Sequence, residues 1–191
     1  MFKFFAFLNR MKYIKRWSLM RSVREENIME HSQAVAVTAH ALALIKNKIY
    51  GGSIDVNKVV LLAQYHEVGE VITGDLPTPI KYFNPEIKTA YKDLEKGACE
   101  RLLSMLPEEL KGEYAEYIVP DESSEEYKLV KYADRIAAYL KCVEEVKVGN
   151  AEFKKAKATI GTELKKADEP AVIYYLKEFA PDYDLTLDEL D

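Results

Sequence analysis

The chain has little of what usually builds disulfide frameworks, membrane spans or nucleic-acid surfaces. Its 191 residues include two cysteines and three histidines. Cys99 and Cys142 form no CxxC pair and no disulfide framework, so a reducing, cytoplasmic setting is expected. No apolar run approaches the roughly 20 residues that cross a bilayer, and no membrane association is expected. Basic residues number 27 against 32 acidic ones, for a net charge of -5. That balance argues against binding a nucleic-acid polymer, which normally calls for a basic excess or stripe. It leaves room for a small anionic ligand, because Arg16, Arg21 and Arg24 form one local basic cluster.

The apolar N-terminal stretch is too short for a secretory leader, is interrupted by Arg10 and Lys12, and lacks a small-residue cleavage site. Phe4, Leu8 and Met11 recur at helical spacing and predict a docking helix instead. The rest is helical too, with no convincing strand, repeat or low-complexity linker. Asn27, with Glu30 three residues on, predicts the start of a helix running to about Lys46. Asp55 can cap a second, about 56 to 73, ending at Gly74. The segment Gly74-Asp75-Leu76-Pro77-Thr78-Pro79 reads as a stiff loop, since two prolines fix φ and bias their predecessors towards extended backbone. Further helices are expected over about 85 to 106, from Pro107, from a Ser123/Glu126 capping box to Gly149, and over about 151 to 167 and 170 to 179. With 48% hydrophobic residues, the whole of 1–191 suits one compact all-α domain with a sizeable core.

Within that pattern the histidines stand out. At 100° per residue His31, Val35, Thr38, Leu42 and Ile45 share one helix face, while His40 points about 180° away and reads as an ordinary surface or second-layer residue. Val59, Leu62, Ala63, His66 and Glu70 share another face, with Glu67 beside His66. Asp134 follows Val130 and precedes Ala137 and Ala138, so it also points inward. Buried imidazoles and carboxylates are costly without a partner. A divalent transition metal (Mn, Co, Zn or Fe) would satisfy them. The bland alternative is a set of separately hydrogen-bonded core residues.

The order His…His-acid…Asp on helices resembles the HD-domain superfamily of metal-dependent phosphohydrolases. Three long motifs, RWSLMRSVREENIMEHS (16 to 32), YHEVGEVITGDLPTPIKYFN (65 to 84) and LVKYADRIAAYLKC (129 to 142), are similar to the bacterial 5'-deoxynucleotidases. The resemblance covers nearly the whole chain. It implies a compact HD-domain helical bundle, a homodimer, that hydrolyses deoxyribonucleoside 5'-monophosphates to deoxynucleoside and phosphate. It implies that His31, His66, Glu67 and Asp134 hold the metal and that Glu70 acts as the acid-base residue. Arg16 would grip the phosphate, and Trp17 would lie against the sugar and disfavour a 2'-hydroxyl. Asp75, Leu76, Pro77 and Thr78 would form the substrate loop. One departure is plain: the family's His-Asp pair is His66-Glu67 here. The extra methylene moves the carboxylate by roughly 1.5 Å on a fixed backbone.

Other readings remain open on the residues alone. Arg16 can be an exposed cation, Trp17 a core or dimer anchor, and the Gly74–Pro79 loop a rigid connection. The chain can be an HD enzyme for another nucleotide, though a triphosphate calls for more cations. It can also be a deoxynucleotide- and metal-binding protein with catalysis weakened by Glu67. A purely structural helical protein would leave inward His66, Glu70 and Asp134 without a purpose.

Overall fold

The N-terminal apolar spacing forms α1 (Phe4–Leu8), continued by a 3-10 turn over Asn9–Tyr13. Phe4 and Met11 are buried there, against Ile28, Val68, Leu102, Leu106 and Ile118. The computed structural model describes residues 2–81 and 83–191. Among these there is no strand, and the only ladder is a single antiparallel bridge between Lys15 and Asn27.

Asn27 has extended backbone, and its side chain accepts from the Met29 and Glu30 N–H groups, starting α2 (Ile28–Ile49). Such a cap stabilises a helix by about 1 kcal/mol. Glu30 does not complete a capping box; its carboxylate lies 4.0 Å from Arg24. Asp55 caps α3 (Val56–Tyr65). The chain then continues through α4 (Glu70–Thr73), α5 (Thr78–Lys81), α6 (Pro85–Leu103), α7 (Glu108–Ile118) and α8 (Glu125–Lys147). It closes with α9 (Lys154–Leu164) and α10 (Pro170–Glu178). The cap of α8 is Ser124 rather than Ser123, whose hydroxyl binds Asp121 instead. Residues predicted as the start of the next helix form a separate 3-10 turn, Ala151–Phe153.

Helices α2, α3 and α8 pack on one another and carry the main core, with α9 and α10 outside α8 and α2. Val35, Leu42, Val59, Leu62, Val130 and Ile136 are sealed in it. Truncating Leu42, Leu62 or Ile136 to alanine would cost about 2–5 kcal/mol.

The continuous helix expected over 56 to 73 is instead broken between Tyr65 and Glu70. The N–H groups of Val68, Glu70 and Val71 bind carbonyls three residues back, which tightens the chain into a turn. Gly69 permits this turn to press on α6: a Cβ there would come within 3.1 Å of Cys99 Sγ. The break carries His66 and Glu67 at its apex. The expected stiff loop also contains a helical turn, α5, directly after Pro77.

Candidate active site

Three elements meet at the break. α2 contributes His31, the turn contributes His66 and Glu67, and α8 contributes Asp134. These four residues offer ligand atoms that all lie within 4.8 Å of one another. Their separate helical faces thus converge on one point.

The donor chemistry fits a metal ion. His66 Nδ1 donates to the Ala63 carbonyl at 2.6 Å, which fixes the tautomer and leaves the Nε2 lone pair facing the cluster. That Nε2 is buried and has no protein partner, and the same is true of Glu67 Oε2. A buried polar atom without a partner costs about 1–3 kcal/mol. A cation would remove that cost at both. Glu67 Oε1 stands 3.7 Å from the Nε2 atoms of both His31 and His66, so the longer side chain still reaches the cluster. His31 Nε2 meets Asp134 Oδ1 at 3.0 Å. His40 is exposed and outside the group.

Arg16 and Trp17 reach the site through the segment before α2. Ile28 N–H binds the Ile14 carbonyl and Arg16 N–H the Glu26 carbonyl, so residues 14–16 run back along 26–28. Trp17 then turns with φ at 56°. A bulky residue in left-handed backbone is strained, and such strain persists where the surroundings impose it, often at functional positions. The Arg16 guanidinium binds Glu67 Oε1 at 2.5 Å and Glu26 Oε2 at 3.1 Å. Burial works against its charge, but the carboxylates of Glu67, Asp134, Glu26 and Asp75 outweigh that and keep it protonated. Arg21 and Arg24 do not join it. Arg21 pairs with Glu152, and both side chains are solvent-exposed, so the predicted basic cluster reduces to one arginine at the site.

Glu70 is 8% exposed. Burial, then the carboxylates of Glu67 and Asp75, push its pKa up to about 9. Burial likewise lowers His66. Burial opposes the Asp134 charge, yet the His31 bond and the charges of Lys131 and His31 hold its carboxyl well below the usual range.

A cleft of about 1520 Å³ opens over the cluster, lined by Arg16, Trp17, His66, Glu67, Glu70 and Asp134. Asp75, Leu76, Pro77 and Thr78 line the same cleft. Their loop is tied to α6, where Tyr91 O–H donates to the Gly74 carbonyl at 3.0 Å and Lys81 pairs with Glu95 at 3.0 Å. The cleft exceeds the roughly 300–1,000 Å³ of ordinary small-ligand sites, so orientation must come from these polar groups rather than from enclosure.

One residue beside the cluster has no sequence signal. Glu26 sits in the polar run Arg24-Glu25-Glu26, where every side chain looks solvated. Only the fold returns it to Arg16 Nε, to Trp17 Nε1 at 3.2 Å and towards His31.

Helical architecture and a His/carboxylate cluster at the junction of three elements place this molecule in the class of HD-domain phosphohydrolases. The solved HD-domain phosphohydrolase of Listeria innocua has the same fold, with a TM-score of 0.82 at 22% identity, covering 95% of this chain and 88% of that one. A cyanophage S-2L HD phosphohydrolase, solved bound to dA and one catalytic Zn2+ ion, matches with a TM-score of 0.64 at 19% identity, over 93% of this chain and 96% of that one. Within the class, the chain belongs to the 5'-deoxynucleotidase YfbR-like family, which matches residues 3–183. A 5'-deoxynucleotidase of Vibrio vulnificus is 53% identical over 188 residues, 98% of this chain and 97% of the relative.

Proposed function

We propose that this protein is a 5'-deoxynucleotidase that hydrolyses deoxyribonucleoside 5'-monophosphates to deoxynucleoside and phosphate with the help of a divalent metal. The observation that carries the reading is the open donor set of His31, His66, Glu67 and Asp134 with Arg16 and Glu70 on its rim. Family membership and full-length similarity to a 5'-deoxynucleotidase support the substrate class.

His31, His66, Glu67 and Asp134 would hold the ion, with Mn, Co, Zn or Fe all suited to such ligands. When bound, a divalent ion neutralises charge on phosphoryl oxygens and makes water more acidic. The remaining work falls to the protein. Arg16, planar and permanently charged, grips the phosphate and aligns it for in-line displacement. Water oxygen bonds to phosphorus as the bond from phosphorus to the 5'-oxygen breaks. Glu70, poised by burial, handles the proton that leaves the water and the one the departing 5'-oxygen must gain. Trp17 offers a flat wall against the deoxyribose, which rejects a 2'-hydroxyl by crowding it. Asp75, Leu76, Pro77 and Thr78 close the side of the cleft next to Glu70.

The protein is further proposed to act in the cytoplasm as a homodimer with no nucleic-acid polymer or membrane partner. No helix among the described residues is long and apolar enough to cross a membrane. Exposed Phe2 and Phe5 suit a subunit contact.

Phosphate release from metal-stripped protein, with Mn, Co or Zn added back, tests the reading. Release confined to deoxynucleoside monophosphates is expected. Equal release from ribonucleotides would remove the sugar wall from the account. No release with any metal, from folded protein that still binds metal, would leave a binding protein.

A further inference from the structure

A metal-ligating histidine generally donates its second ring N–H to a carboxylate or carbonyl, which sets the tautomer and aims the ligating nitrogen. His66 has this partner in the Ala63 carbonyl. His31 does not: its Nδ1 is buried and unpartnered. The acid facing that nitrogen is Glu26, whose Oε1 lies 3.9 Å away. The other oxygen of the same carboxylate is engaged already. Glu26 Oε2 accepts from Arg16 Nε at 3.1 Å and from Trp17 Nε1 at 3.2 Å.

We infer that Glu26 is a positioning residue that sets three site groups at once: the His31 imidazole, the Arg16 guanidinium and the Trp17 indole. The inference rests on the nucleotidase reading for the roles of Arg16 and Trp17. One carboxylate thereby aligns ligand, phosphate grip and sugar wall. Glu26 touches neither the proposed phosphate nor the reacting water and acts only through its neighbours. Neighbouring Glu25 pairs with Lys15 in solvent and has no part in this arrangement.

Two substitutions separate its functions. Glu26→Ala removes all three contacts, whereas Glu26→Gln keeps an acceptor oxygen for the indole and removes the charge facing Arg16. Three quantities are read: Co2+ affinity of metal-stripped protein by absorbance, emission of the single tryptophan, and KM with the deoxy-to-ribo ratio in phosphate release. For Glu26→Ala we expect Co2+ affinity about 10- to 100-fold weaker, red-shifted emission and a reduced deoxy-to-ribo ratio. Glu26→Gln should restore emission and the ratio but raise KM. Glu25→Gln should match the unmodified protein. Affinity, emission and ratio all within twofold of the unmodified protein in Glu26→Ala would overturn the inference. So would Glu26→Gln with an unchanged KM, which alone decides the matter if the alanine variant does not fold. Absence of phosphate release by the unmodified protein would sink the nucleotidase reading instead. Co2+ affinity and emission would still judge Glu26.

Discussion

Helix α8 carries two inward carboxylates, one buried and one half-buried, eleven residues and about three turns apart, and they belong to networks of opposite kinds. Glu145, 2% exposed, is fully satisfied. It accepts from the Val23 and Arg24 N–H groups, from Asn150 and from Lys141, whose ammonium also donates to the Arg24 carbonyl. Asp134 stands in a cluster where hydrogen bonding is incomplete. Among the described residues, the buried side-chain atoms without partners are His31 Nδ1, His66 Nε2, Glu67 Oε2, Glu70 Oε2 and Ser32 Oγ. Four of the five belong to the site or its rim. A polar network that only holds the chain together satisfies itself, while one that must receive another group is left open at stability's expense.

The largest expected effect breaks the open network. His66→Ala should abolish metal binding and reduce phosphate release by at least about a thousandfold, a loss typical of removing an essential group. Without added metal its melting temperature should fall by less than that of Glu145→Gln, because removal of the unpaired Nε2 offsets the lost bond to the Ala63 carbonyl. A calorimetric scan with and without Co2+ checks both halves. The closed network should behave in the reverse sense. Glu145→Gln leaves Lys141 buried beside a neutral partner, and breaking a buried pair costs about 3 kcal/mol or more. For a chain of this size that is roughly 6–12 °C in melting temperature. Activity per folded molecule should suffer less, since Glu145 anchors residues 23–24 and not the site itself. A loss of activity as large as that of His66→Ala would erase the distinction between the two networks.

The two networks also differ in how far the sequence reveals them. Asp134, His31, His66 and Glu70 are legible because a polar residue at helical spacing inside an apolar stripe is anomalous wherever the helices go. The helix class, the Asn27 and Asp55 caps and the docking role of Phe4 follow from equally local signals. Lys141 and Glu145 give no such sign: at i and i+4 they resemble an ordinary solvent-exposed pair, and only the return of residues 21–24 over α8 buries them. Glu26 is hidden for the same reason. The break at residues 66–69 is hidden because His66, Glu67 and Val68 carry no helix-breaking signal, and Gly69 acts through its contact with Cys99 on a distant helix. Periodicity reports a residue's own helix; it does not report which remote segment comes to lie on it.

Acid provides a graded test of the closed network. Burial alone would raise the Glu145 pKa, but the Lys141 bond and the N–H donors of Val23, Asn150 and Arg24 overcome it and bring it down to about 2. A carboxylate depressed in the folded state contributes stability that is fully present above its unfolded pKa and fades as pH falls through the folded one. The stability gap between the unmodified protein and Glu145→Gln should therefore hold above about pH 4.5 and close towards pH 2. Urea titrations at stepwise pH would show it, and a gap constant to pH 2 would mean that the charge of Glu145 contributes nothing.

The smallest effect expected is at the family's point of departure. Glu67→Asp restores the family's His-Asp pair and withdraws the carboxylate by roughly 1.5 Å. Two consequences oppose one another. Shortening the side chain draws the carboxylate away from the cluster, where Glu67 Oε1 now stands 3.7 Å from each of the two Nε2 atoms. Against this, withdrawal releases Arg16 from its 2.5 Å contact with Glu67 and frees the guanidinium for phosphate. Turnover should stay within about tenfold of the unmodified protein, equivalent to about 1.4 kcal/mol, because the acid group is kept, and KM should fall as Arg16 is released. A hundredfold gain in turnover would mark glutamate as an impairment of the open network. A hundredfold loss would show that the surrounding helices have adjusted to the longer side chain. Measuring KM and turnover together separates these outcomes, because the Arg16 contact acts on the first and the placement of the carboxylate on the second.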